Sequence, residues 1–95
     1  MKYVIHAIDI GDGLSIRNAN REKHVEYVKS QTIPLLLAGP LISEEKSEPM
    51  GTVLIVEADS MEDAEKFAQN DPYYKAGLFE EIKITAINIT VNNMT

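Results

Sequence analysis

Residues 33–58 read IPLLLAGPLISEEKSEPMGTVLIVEA, two apolar runs with a charged, turn-rich stretch between them. The second run, Thr52–Ala58 (TVLIVEA), is rich in β-branched residues and reads as the clearest strand in the chain. The first, Ile33–Ala38 (IPLLLA), reads as a shorter strand that begins after Pro34 and stops at Gly39-Pro40. Residues 41–51, LISEEKSEPMG, then serve as the connection of a hairpin. With a hairpin in the middle of the chain, the flanks decide the fold.

Each flank is a strand and a helix. Lys2–Asp9 (KYVIHAID) reads as a strand and IGDG as a turn, and residues 15–31 take a helical pattern with Ser15 as N-cap. On the other side Asp59-Ser60 offers an N-cap, and Glu62 and Asp63 stand in the first turn, where the helix dipole favours carboxylates. That helix, Met61–Gln69, has Ala64, Phe67 and Ala68 as its apolar stripe, and Asn70-Asp71-Pro72 ends it. YYKAGLF (73–79) has room for one more helical turn, and EEIKITAINITV (80–91) alternates as a last strand. The order is β-α-β-β-α-β. Two right-handed crossovers joined by a hairpin predict an α+β, ferredoxin-like fold: a four-stranded antiparallel sheet with two helices on one face.

Bulk properties restrict what such a domain does. The 95 residues suit a single domain, 1–95, and 44% apolar residues suffice for a core. A net charge of −6, with no basic run, argues against nucleic acid and anionic membranes as partners. The absence of cysteine removes disulfides, thiol nucleophiles and thiolate metal sites. The N-terminal apolar run breaks at His6 and Asp9, unlike a secretory signal, and no run is long enough to span a bilayer. A soluble, cytoplasmic protein is the expectation.

The topology carries a consequence for function. It gathers the IGDG turn, the start of helix one, the AGP segment and the NDPYYKAG segment at one end of the sheet. Both faces of the central strands are apolar: Val53 and Ile55 oppose Leu54, Val56 and Ala58, while Tyr3, Ile5 and Ala7 oppose Val4 and Ile8. Two helices cover one face only, so a second copy packing sheet to sheet, a homodimer, is expected on the other.

Helix one has an unusual inner face. Arg17, Arg21, His24 and Val28 fall on one stripe by their spacings, opposite a polar face of Asn18, Glu22, Lys23, Glu26, Lys29 and Ser30. Charged groups turned toward a core are costly unless paired or solvated. A water-filled pocket would reconcile them with the fold; the plainer reading has both arginines at the helix margin, snorkelling outward. His24 is equally compatible with a hydrogen-bonded residue on a half-buried face. His6, alone in its strand, reads as structural or as part of the dimer surface. Asp71-Pro72 is an ordinary stop signal, yet topology brings this segment to the end where Arg17, Arg21 and His24 start, so that an ion pair or a His–Asp contact is geometrically possible. A carboxylate beside His24 would orient the imidazole for general-base work. Tyr73 and Tyr74 offer a hydroxyl or an aromatic wall, Asp9 and Asp12 read as turn residues, and no metal-ligand spacing is evident.

Taken in order, YVIHAID (3–9), R-x3-R-x2-H (Arg17, Arg21, His24), LLLAGP (35–40), TVLIVEA (52–58), S-x-E-x-A (Ser60, Glu62, Ala64) and DPYYKAG (71–77) resemble the YciI-like, or YCII-related, family over nearly the whole chain. The resemblance implies a dimeric ferredoxin-like α/β barrel and a pocket centred on the helix-one histidine, paired with an aspartate. One group resembling it acts as a dehydrochlorinase on chlorinated hydroxyhydroquinones. A departure stands beside this: the link KSQTIPLLLAGP (29–40) has no acidic residue, and no glycine before Gly39, where family members commonly carry an acidic, Gly-containing turn. Asp71 is then the only matched carboxylate.

The resulting expectation is a cofactor-independent, lyase-like enzyme with His24 as base or acid and Asp71 orienting it. Arg17, Arg21, Gly39, Pro40 and Tyr73 would bind a small anionic or phenolic ligand. The alternative is a non-catalytic module that senses or carries a small anion in the same pocket. A cofactor-free oxygenase or isomerase of the wider barrel group is a third reading.

Overall fold

The computed structural model describes residues 1–30 and 32–94. Its elements are β1 (Lys2–Asp9), α1 (Leu14–Ser30), β2 (Leu35–Ile42), β3 (Pro49–Glu57), α2 (Met61–Gln69), α3 (Pro72–Lys75) and β4 (Phe79–Ile87). The strands form one sheet in the order β2-β3-β1-β4, every neighbouring pair antiparallel. This is the expected ferredoxin-like arrangement, with the single turn α3 added after the second helix. Among the described residues no helix is long and apolar enough to cross a membrane.

Strand parity sets the layers. Tyr3, Ile5 and Ala7 of β1 and Leu54 and Val56 of β3 are buried toward the helices, where Val28 of α1 and Ala64, Phe67 and Ala68 of α2 meet them. α2 starts as its sequence dictates: the Ser60 side chain accepts a hydrogen bond from the Asp63 N–H at 3.1 Å.

Several boundaries differ from the sequence reading, four of them for a physical reason. α1 begins at Leu14, so Ser15 lies inside it; the first helical bond runs from the Arg17 N–H to the Gly13 carbonyl at 2.9 Å. Gly13 suits the close approach there, because a Cβ would press on Leu78 Cδ1 at 2.8 Å and on the Ile10 carbonyl oxygen at 3.0 Å. The expected last residue of that helix, Gln31, lies outside the described residues. β2 does not stop at Gly39-Pro40 but runs through them to Ile42. It is an edge strand, where a proline with no N–H to donate is tolerated. The hairpin connection therefore shrinks to Ser43–Glu48, closed by Ser43 N–H to Glu48 O at 2.8 Å, and β3 starts earlier, at Pro49. Finally, β4 ends at Ile87 rather than continuing to Val91, because Ile87 already faces Lys2, the first residue of β1.

Candidate functional site

The end of the sheet that carries the turn after β1 holds the polar interior of the molecule. The backbone ties its loops together, with the Ile10 N–H donating to the Leu78 carbonyl at 2.8 Å. Over this frame α1 presents Arg17 and His24, only 4% and 9% exposed, so both need partners.

Arg17 finds its partner at the end of β1. Its Nε donates to Asp9 Oδ2 at 2.8 Å and its Nη2 to Asp9 Oδ1 at 2.9 Å, a forked pair. The same Nη2 donates to Thr52 Oγ1 of β3 at 2.9 Å. Burial works against the guanidinium charge, but the Asp9 carboxylate outweighs it and holds Arg17 above its ordinary value. Asp9 is thus not a turn residue. It is the last inward position of β1, after Tyr3, Ile5 and Ala7, and that parity was its one signal in the sequence.

His24 meets Asp71, as the topology suggested. Its Nδ1 lies 2.8 Å and 2.9 Å from the two Asp71 oxygens, both residues buried. A carboxylate only accepts, so a hydrogen belongs on Nδ1, and in the neutral ring the lone pair is then on Nε2. Asp71 also caps α3, accepting the Tyr73 N–H at 2.9 Å. The stop signal and the histidine partner are therefore one residue. Tyr73 stacks on the imidazole with ring centroids 4.0 Å apart and planes at 11°, and the Arg17 guanidinium carbon lies over the same ring, 4.7 Å from its centroid.

Between α1 and the β2–β3 hairpin a cavity of about 240 Å³ opens onto these groups. His24, Arg17, Arg21 and Tyr73 line it, with Val25, Val28, Ala38, Gly39, Pro40 and Pro49 as a largely apolar remainder. Every residue the sequence placed at the site borders this space except Asp71, which stands behind His24. Their charges differ in availability. The Nε and Nη2 side of Arg17 is taken by Asp9, which matches its charge, whereas Arg21 is exposed, and among the described residues no carboxylate pairs with it. Asp9 and Thr52 are what the sequence reading missed. No cluster of three metal-ligating side chains is present among the described residues.

Burial pushes the Tyr73 phenol up, opposed by the Arg17 and Arg21 charges; burial also raises Tyr27, opposed by Thr32 and reinforced by Asp71. Each phenol holds its proton more tightly folded than unfolded, so its contribution to stability is complete below the ordinary tyrosine value of 10.0 and is lost as pH rises through the folded values. Denaturation midpoints measured across alkaline pH should fall, and the fall should be shallower in Tyr27→Phe/Tyr73→Phe.

Residues 1–88 match the family profile of the YCII-related domain. The chain belongs to that family. The YCII-related chain is 33% identical over 91 residues to protein YciI of Escherichia coli O6:H1, covering 88% of this chain and 93% of the relative. It is likewise 33% identical over 89 residues to an uncharacterized protein of Haemophilus influenzae, covering 86% and 91%. Among solved structures it is similar to the 5-chloro-2-hydroxyhydroquinone dehydrochlorinase TftG from Burkholderia phenoliruptrix, solved in complex with 2,5-dihydroxybenzoquinone. That likeness has a TM-score of 0.83 at 28% identity, over 93% of this chain and 94% of the other. An antibiotic biosynthesis monooxygenase shares the fold alone, at 9% identity and a TM-score of 0.58 over 95% and 98% of the two chains.

Proposed function

We propose that this YCII-related protein is an acid–base enzyme for small phenolic or anionic molecules, of lyase type and close to dehydrochlorination. The observation that carries the reading is the His24 Nδ1 contact with both Asp71 oxygens, which leaves Nε2 as the ring nitrogen for chemistry beside the cavity. A dehydrochlorination removes one proton and one chloride. In the keto tautomer of such a substrate the chlorine-bearing carbon also carries a hydrogen. Nε2 takes a ring hydroxyl proton, the electrons left behind pass through the ring and expel chloride to leave a quinone, and the imidazolium formed is stabilised by Asp71. Arg21 holds the developing phenolate oxygen, since the Arg17 charge is already matched by Asp9. Gly39, Pro40 and Tyr73 form walls against a flat ring, and a cavity of about 240 Å³ suits a single-ring molecule. The structural neighbour whose ligand is a dihydroxylated quinone supports this substrate class.

The direct experiment offers 5-chloro-2-hydroxyhydroquinone to the purified protein and follows free chloride. Enzyme-dependent release supports the reading. Binding of 2,5-dihydroxybenzoquinone near His24 with no turnover of any phenolic substrate offered would replace it with the anion-binding module.

The proposal includes a second copy on the open face of the sheet. By register, Val4, Ile8, Leu37, Leu41, Val53 and Ile55 share the face turned away from the helices, with exposed His6 among them. An antiparallel sheet face meant for water would alternate with polar residues there. Ile55→Glu should convert a dimer to monomers, seen in light scattering as a mass falling from twice the 10.6 kDa chain to the single value. An unchanged mass in that variant would remove this part of the proposal.

A further inference from the structure

We infer that Asp9 and Arg17 are positioning residues for His24, acting through the ring of Tyr73. The inference rests on the reading of His24 as the reacting base, and it assigns a task to a pair that this chemistry leaves unused. Asp9 does not border the cavity, and three of the five Arg17 N–H donors are spent on Asp9 and Thr52, which match its charge and fix its plane.

Arg17 and His24 stand seven residues apart on one stripe of α1, about 10.5 Å of helical rise. The Tyr73 ring centroid lies 4.0 Å from that of the imidazole and 4.7 Å from the guanidinium carbon, so one ring touches both. The hydrogen bond from Nδ1 to Asp71 fixes the direction of the imidazole but leaves it free to swing about that bond. A ring stacked at 11° removes the swing and fixes where Nε2 points. Tyr73 cannot hold this position unaided, because α3 has only four residues and a single turn is not stable by itself. Its backbone is pinned by Asp71 Oδ1, its ring meets Phe79 at 86°, and the Arg17 guanidinium lies over the same ring. Asp9 and Thr52 in turn lock the guanidinium plane. The chain of contacts runs from the end of β1 to the reacting nitrogen.

The test reads His24 itself. In the full-length protein labelled with nitrogen-15, exchange of the His24 Nδ1–H with water is measured in Tyr73→Phe, Tyr73→Leu, Asp9→Asn and the charge-free pair Asp9→Asn/Arg17→Gln. Tyr73→Phe keeps the ring and should exchange as the wild type does. Tyr73→Leu and both charge variants should exchange faster by about tenfold or more, with backbone amide signals certifying the fold. Wild-type exchange in the folded pair variant overturns the inference. Should the charge variants unfold, wild-type exchange in Tyr73→Leu overturns it equally. No turnover enters this readout, so failure of the chloride assay leaves it standing, and loss of activity in a His24 variant does not support it.

Discussion

His24→Asn should lose about two to four orders of magnitude in chloride release from 5-chloro-2-hydroxyhydroquinone, the usual share of a positioned general base. The substitution is chosen because the amide can still donate to Asp71, so the buried carboxylate keeps a partner and the fold is spared. What disappears is the lone pair on Nε2. Asp71→Asn should fall by a comparable factor for a different reason. Its amide N–H can donate to Nδ1, which moves the ring hydrogen to Nε2 and presents a donor where a base is needed. The two variants together separate base from orienter, because a free imidazole added to the assay can replace the lost base in His24→Asn but not the wrong tautomer. Full activity in a folded His24→Asn protein would end the acid–base reading.

Much of this site was legible because fold and site follow from different signals that agree. The two crossovers around the 33–58 hairpin set the topology, and topology alone brought residue 71 to the start of α1. Helical spacing put Arg17, Arg21 and His24 on one stripe, and the structure buries Arg17 and His24 while leaving Arg21 at the cavity edge. Periodicity cannot resolve that difference, which depends on which partner lies opposite. Asp9 was hidden by its setting beside IGDG, where composition says turn and only the parity of β1 says interior. Gly39-Pro40 misled in the same way. A glycine-proline pair ends a central strand but not an edge strand, and which strand lies at the edge is known only once the sheet is ordered. In each case local composition competed with a long-range fact, and the long-range fact prevailed.

The largest stability effect should come from the pair that local reading missed. Asp9→Ala leaves the Arg17 guanidinium buried with Thr52 and the Tyr73 ring but no countercharge, at an expected cost of about 3–5 kcal/mol. Small domains are stable by only about 5–15 kcal/mol, so a drop of this size should be plain in urea or thermal unfolding. Removing both charges in Asp9→Ala/Arg17→Met should cost less than the single change, because no buried ion is left alone and the methionine retains part of the packing against Tyr73. The prediction is therefore the sign of a coupling in a double-mutant cycle, which packing loss alone would not produce. If the two single costs simply add, the pair is not acting as a pair, and the buried guanidinium finds its compensation elsewhere. If they do not, Asp9 is the residue that makes it possible to bury Arg17 beside His24, and the polar interior of this fold depends on it.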